Sequence, residues 1–265
     1  MILKNTVAIV VLIFTLTGCG EAPFRNISDS REDKEASQAE ASLSSAPDFS
    51  EIADINQKKA AFFDHLRPAV VQENKRVSKE RDFLLKLKST TESEKTIDSE
   101  QLDYARRLGK MYQLPLTGDN VTSDWLSPML LRVDVLPEEL VLSQAANESA
   151  WGTSRFAVEG NNYFGQWCYR KGCGLVPASR TEGFTHEVAV FESAYRSVNA
   201  YFMNVNRNNA YTELRQIRAE QRNAGLTITG TKLAEGLSRY SERGHEYIDE
   251  IQTMIRHNNK YWSQG

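Results

Sequence analysis

Pro137-Glu-Glu-Leu140-Val-Leu-Ser-Gln144-Ala-Ala-Asn-Glu148-Ser-Ala-Trp151-Gly152 is the stretch that decides how this chain is read. Proline is accepted at the first helical position because the N–H it lacks has no partner there. Glu138 and Glu139 follow in the first turn, where the helix dipole favours negative charge. Leu140 to Trp151 continues the helix, and Gly152 is placed to stop it. Glu148 then falls in the last turn, where unpaired carbonyls make the surroundings negative. Its neighbours Ala145, Ala146 and Ala150 are small and apolar and would desolvate it. Both effects raise a carboxyl pKa. A carboxyl group held protonated near neutral pH can act as a general acid, the role that cleavage of a glycosidic bond requires. The competing reading is a solvated surface glutamate, the commoner fate of this residue type.

Outward from this helix the pattern is mainly helical. On the C-terminal side, residues 153–173 read as an ordered loop. Gly174–Ala178 and Phe184–Phe191 are strand candidates joined by a hairpin turn at Thr181-Glu182-Gly183. In the second strand Phe184, His186, Val188 and Val190 share one face, with Thr185, Glu187, Ala189 and Phe191 on the other. Ser193 is an N-cap candidate for a helix carrying Ala194, Val198, Tyr201, Phe202 and Val205. Further helical stripes hold Leu214 and Ile217, then Leu233, Leu237 and Tyr240, then Tyr247, Ile248, Ile251, Met254 and Ile255. On the N-terminal side a helix is expected from Ser99 to Tyr112, ahead of a turn at residues 114–119. Residues 51–87 fit either a helical hairpin or one helix interrupted at Pro68.

The first residues bear on compartment. A short basic start at Lys4 precedes the apolar run Val7–Leu16, then Leu16-Thr17-Gly18-Cys19. This order is that of a secretory signal peptide, and the run is short for a membrane span. Leu-Thr-Gly-Cys resembles a bacterial lipobox, which implies a signal peptide over residues 1–18 and acylation of Cys19. Gly20 after the cysteine gives the expectation of an outer-membrane lipoprotein facing the periplasm. Residues 19–49 are rich in Ser, Ala, Glu, Asp and Lys and read as a flexible tether. With Cys19 lipidated, Cys168 and Cys173 remain of three cysteines. Outside the cytoplasm such a close pair is expected to oxidise. The alternatives are free thiols or a metal site, which would need more ligands than nearby His186. Net charge is −3 with no basic stripe, which argues against nucleic acid as a partner. His65, His186, His245 and His257 are scattered without metal-ligand spacing, and no metal or other cofactor is expected.

Several motifs recur in a telling order. They are Ala146-Asn-Glu148-Ser-Ala-Trp151-Gly-Thr-Ser154, then Gly160-Asn-Asn-Tyr-Phe-Gly165, and later Tyr240-Ser-Glu-Arg-Gly244 with Tyr247. Together they resemble the endo-β-N-acetylglucosaminidases of glycoside hydrolase family 73. Phe164-Gly-Gln-Trp-Cys168, Gly172-Cys-Gly-Leu-Val-Pro177 and His186-Glu-Val-Ala-Val-Phe191 resemble its Bax-type branch. The resemblance covers roughly residues 100–260. It implies a lysozyme-like fold, mainly α with a small β-hairpin lobe (α+β), in a domain over residues 96–265. Residues 50–95 would form a helical N-terminal extension.

The resemblance also implies peptidoglycan glycan strands as substrate, cut on the reducing side of N-acetylglucosamine. Glu148 is then the general acid. For the partner group, Glu187 is preferred over Glu182, with the substrate's own acetamido group as a further route. Tyr240 matches the family's tyrosine and could hold the acetamido group or stabilise positive charge. Trp151, Asn162, Tyr163 and Gln166 are candidate sugar-binding residues, through ring stacking and amide hydrogen bonds. Phe164 reads better as core. Two other functions compete: a lytic transglycosylase on the same fold, and a wall-binding lipoprotein without activity.

Overall fold

A computed structural model describes residues 46–177, 186–240 and 243–262. The longest element is α1 (Ile55–Glu92), one uninterrupted helix of 38 residues with Pro68 inside it. Asp54 caps it by accepting the Gln57 N–H at 2.8 Å. Its inner stripe of Phe62, Phe63, Leu66, Val70, Val77, Leu84 and Leu87 is buried. That stripe favours a single helix over a hairpin, because it packs continuously along α3 (Ser123–Arg132), α4 (Glu138–Glu148) and α6 (Ala194–Arg207). The buried apolar residues of all four helices belong to one hydrophobic cluster. Between α1 and α3 lies α2 (Ser99–Met111), closed at its start by a capping box of Asp98 and Gln101.

Two charged networks sit inside this helical body. In the first, Arg76 on α1 bonds Glu73 at 2.8 Å and Glu80 at 2.6 Å, while the hydroxyls of Tyr195 and Tyr112 donate to the same two carboxylates. Every buried charge there has a partner, which is the condition for tolerating it. In the second, Asp134 meets Arg81 and Arg222, and the fully buried Arg218 caps the carbonyls of Leu131, Arg132, Asp134 and Val135. These carbonyls belong to the end of α3 and the turn entering α4. The network therefore fixes where α4 begins.

After α4 come α5 (Arg155–Gly160) and a three-stranded antiparallel sheet in the order β1-β3-β2. Its strands are β1 (Trp167–Cys168), β2 (Gly174–Leu175) and β3 (Glu187–Ala189). Trp167 pairs with Val188, and Leu175 pairs with Val188 from the other side. The expected hairpin is thus β2 and β3, whose turn at residues 178–185 lies outside the described residues. The sheet gains a third strand, β1, from a segment expected to be loop. Two residues are too few to show a period of two, and the pairing is supplied by β3. A disulfide between Cys168 and Cys173 joins β1 to the lead-in of β2, with the two Cα atoms 6.2 Å apart.

The chain then runs through α6, a 3₁₀ turn (Asn209–Tyr211), α7 (Thr212–Asn223), α8 (Gly230–Leu233) and a second 3₁₀ turn (Ala234–Leu237). Gly236 lets this turn lie directly on the start of α7, since a Cβ there would fall 2.3 Å from the Leu214 Cα. Helix α9 (His245–His257) packs against α4 and closes the body. The architecture is mainly α with a small antiparallel sheet to one side, as expected for a lysozyme-like α+β fold. No helix among the described residues is long and apolar enough to cross a membrane.

Candidate active site

Glu148 is the last residue of α4, and Ser149 is its C-cap. The helix ends earlier than Gly152 because Ala150 and Trp151 both take positive φ, 50° and 60°. Side-chain bonds stabilise this unusual turn. The Ser149 hydroxyl donates to the Ala145 carbonyl at 2.6 Å and accepts the Gly152 N–H at 2.9 Å. Glu148 is consequently held at a helix terminus that the chain leaves sharply.

Tyrosines gather around the carboxylate. The Tyr247 hydroxyl, from α9, donates to Glu148 Oε1 at 2.8 Å. Behind it the Gln144 amide donates to the Tyr247 oxygen at 3.0 Å. The Tyr201 hydroxyl, from α6, in turn donates to Gln144 Oε1. Tyr240 stacks on Tyr247 with ring centroids 5.0 Å apart, and its hydroxyl donates to the Phe164 carbonyl at 3.3 Å. Burial raises the Glu148 pKa above the ordinary glutamate range. Hydrogen bonding from Tyr247 opposes this, the charge of Glu250 adds to it, and Tyr240 and Arg243 lower it again. The net direction is upward, so the carboxyl keeps its proton to higher pH than a free one. Burial likewise raises the Tyr240 hydroxyl pKa well above the ordinary phenol value, so that it stays protonated.

Glu148 opens into a cleft of about 680 Å³. One wall is the loop and strand Phe164, Gly165, Gln166, Trp167 and Tyr169. The other is formed by Tyr201, Asn204 and Arg207 of α6 with Tyr211, and Arg239 and Tyr240 complete it. Trp167 and Tyr169 are 56% and 74% exposed, which makes their rings available to a ligand. Trp167 is steadied by stacking on His186 with centroids 4.1 Å apart. Gly165 has φ of 62° and brings its backbone beside the carboxylate, where a Cβ would lie 3.8 Å from Glu148 Oε2.

Of the residues expected to form the site, Glu148, Tyr240 and Gln166 come together in this cleft. Phe164 both lines it and belongs to the core, stacked on Tyr201 at 4.1 Å. The other four lie outside the lining of this cleft. Asn162 is 1% exposed and is committed to the backbone. Its amide donates to the Gln166 and Ala189 carbonyls at 2.9 Å, and its oxygen accepts from the N–H groups of Phe164 and Gln166. These bonds shape the loop. Tyr163 points into the core, with its hydroxyl 3.3 Å from His65 Nε2. Trp151 packs edge-on against Phe62 and Phe63 of α1, with Lys59 over its ring. Glu187 is 5% exposed and spends both carboxylate oxygens on the N–H groups of Gly172 and Gly174, each at 2.9 Å. It braces the disulfide loop and does not line the cleft. Glu182 lies outside the described residues.

Sequence reasoning missed Trp167, Tyr169, Asn204, Tyr211 and Arg239 as lining residues. Trp167 and Tyr169 flank Cys168, and two large aromatics beside a loop-shaping disulfide were the available signal. The other three are brought in by tertiary packing. Cys168, Cys173 and Glu187 form the one grouping among the described residues with metal-like proximity, and its sulfurs are bonded to each other.

A helical body, a small sheet flanking a cleft, and a desolvated glutamate at a helix end are the arrangement expected of a lysozyme-like fold. Comparison with known families agrees: the glucosaminidase family, described as mannosyl-glycoprotein endo-beta-N-acetylglucosaminidase, matches residues 127–260, and the chain belongs to it. Its Bax-type character shows in a relative, "Protein bax" of Escherichia coli (strain K12). That protein is 30% identical over 227 residues, covering 86% of this chain and 79% of the relative. No solved structure matches the chain.

Proposed function

We propose that the protein hydrolyses the β-1,4 bond on the reducing side of N-acetylglucosamine in peptidoglycan, with Glu148 as general acid. The carrying observation is the Glu148 carboxyl group, desolvated and held by Tyr247, and the one carboxyl among the described residues that line the cleft with its exposed aromatic rings. Glu148 gives its proton to the glycosidic oxygen as the bond to C1 breaks and its electron pair passes to that oxygen. Water then supplies hydroxide to C1 and returns a proton to the carboxylate. In this reading Tyr240, which lines the same cleft as Glu148, holds the sugar's acetamido group. Retention at C1 would follow if the acetamido oxygen assists, and inversion if Glu182 delivers the water.

Trp167 is the sugar platform in this reading. Trp167→Ala is expected to raise KM about tenfold, the loss of one stacked ring, with kcat little changed. Unchanged KM would remove Trp167 from the binding surface.

The functional reading is tested by digesting purified sacculi and identifying the products by mass spectrometry. New reducing ends on N-acetylglucosamine are expected. Anhydromuramyl ends would make the protein a lytic transglycosylase, and intact sacculi a binding protein.

A lipid on Cys19 and a tether over residues 19–49 complete the proposal, placing the enzyme on the outer membrane beside its substrate. Flexible chain of about 30 residues reaches roughly 30 Å root-mean-square. Radiolabelled palmitate should enter the wild-type chain and be lost in Cys19→Ser; equal labelling of both would reject the anchor.

A further inference from the structure

Behind Glu148 the hydrogen bonds form a chain with a direction. Tyr201, Gln144 and Tyr247 are 1%, 0% and 2% exposed, so bulk water does not compete for their polar groups. A side-chain amide has two unlike ends, an accepting oxygen and a donating nitrogen, and a phenol has one proton. Tyr201 donates to Gln144 Oε1. The Gln144 nitrogen is thereby turned toward the Tyr247 oxygen, 3.0 Å away. Tyr247, already receiving a proton from Gln144, directs its own to Glu148 Oε1 at 2.8 Å. A carboxyl oxygen that accepts along this line cannot carry its own proton along the same line, because two hydrogens would face each other. The other oxygen, Oε2, is the one beside Gly165, and both residues line the cleft.

We propose that Gln144 is a positioning residue: by fixing the direction of the Tyr201–Gln144–Tyr247 chain it places the transferable proton of Glu148 on Oε2, the oxygen on the cleft side. The reverse amide orientation would turn the Tyr247 proton toward Gln144 and draw the Glu148 proton onto Oε1, away from the substrate. This inference rests on the reading of Glu148 as the general acid. Among the described residues, the ionisable groups that act on Glu148 are Tyr247 and Glu250 of α9, Tyr240, which also hydrogen-bonds the carboxyl group, Arg243, Tyr201 of α6 and Tyr211. Among the described residues, only Tyr247 links Glu148 to Gln144.

The test is a double-mutant cycle read by the titration of Glu148. The titration is followed by ¹³C NMR of the labelled carboxyl group and, in parallel, by the alkaline limb of kcat/KM. Gln144→Glu turns the donor into a second acceptor and should raise the Glu148 titration by about one pH unit, the loss of one hydrogen bond to a charged group. Tyr247→Phe should raise it by about the same amount. In the double variant the two shifts should overlap, because both remove one donor. Additive shifts would mean that the charge at position 144 acts on its own, and would overturn the proposal. Unchanged titration in both single variants would overturn it too. The NMR measurement needs no turnover. Overlapping shifts in a chain that leaves sacculi intact would defeat the enzymatic reading and keep the positioning role. If Gln144→Glu does not fold, neutron diffraction from wild-type crystals decides. A deuteron on Tyr247 directed at Glu148 Oε1 is expected, and one directed at Gln144 refutes the proposal.

Discussion

Glu148→Gln is expected to lower the rate of glycan cleavage by about 10²–10⁴-fold, the usual contribution of a general acid. The amide keeps the shape of the carboxyl group. Its oxygen can still accept from Tyr247, whose hydroxyl lies 2.8 Å from Oε1 in the wild type. What it lacks is a proton acidic enough to give to a leaving oxygen. Binding should therefore survive, because the cleft walls around Trp167, Tyr169, Asn204 and Arg239 are untouched. Co-sedimentation with purified sacculi and the thermal midpoint should both match wild type. A variant that still cleaves sacculi at a rate near wild type would remove Glu148 from the chemistry.

The largest effect on stability is expected at Asp134. This residue is 2% exposed and lies in the turn between α3 and α4. Its oxygens meet Arg222 and Arg81, the latter at 3.3 Å, and one also accepts the Val135 N–H at 2.8 Å. Arg218 stands beside it, fully buried, with burial pushing its guanidinium down to about 10 against the pull of Asp134. Asp134→Ala would leave that buried cation without its counter-charge. Breaking a buried pair in this way costs about 3–5 kcal/mol. In a domain of this size the thermal midpoint should fall by roughly 10 °C. Asp134→Asn, which keeps the acceptor oxygen for the N–H of Val135, should lose less. A midpoint within about 2 °C of wild type in the alanine variant would show that the arginines find other partners.

Legibility in the sequence followed the range of the forces involved. The helix carrying Glu148 was readable because Pro137, Glu138, Glu139 and the apolar run act within a few turns of one another. Its true end was not, because Ala150 and Trp151 adopt positive φ in a turn braced by the Ser149 bonds to Ala145 and Gly152. The alternation in β3 correctly marked a strand, yet it misled about Glu187. An acidic residue opposite an apolar face reads as outward-facing. Here the disulfide loop folds over it and supplies two N–H groups. Asn162 shows the same lesson, since an amide that suits a sugar also suits an irregular backbone. Trp151 offers a ring that suits sugar stacking, but the sharp turn swings it toward Phe62 and Phe63, far away in sequence. The tyrosine and glutamine relay could not be anticipated, because its members come from α4, α6 and α9. Motif resemblance brought Glu148 and Tyr240 to attention; packing alone shows what surrounds them.

The measurement that bears most directly on the account is the titration of Glu148 set against the pH dependence of cleavage in the same wild-type protein. Because the carboxyl acts in its protonated form, activity should fall as pH rises through its pKa. Burial raises that pKa, so the alkaline limb of kcat/KM should lie above the ordinary glutamate range and coincide with the midpoint from ¹³C NMR. A Glu148 that titrates like a free side chain, or a limb that ignores its midpoint, would contradict the account.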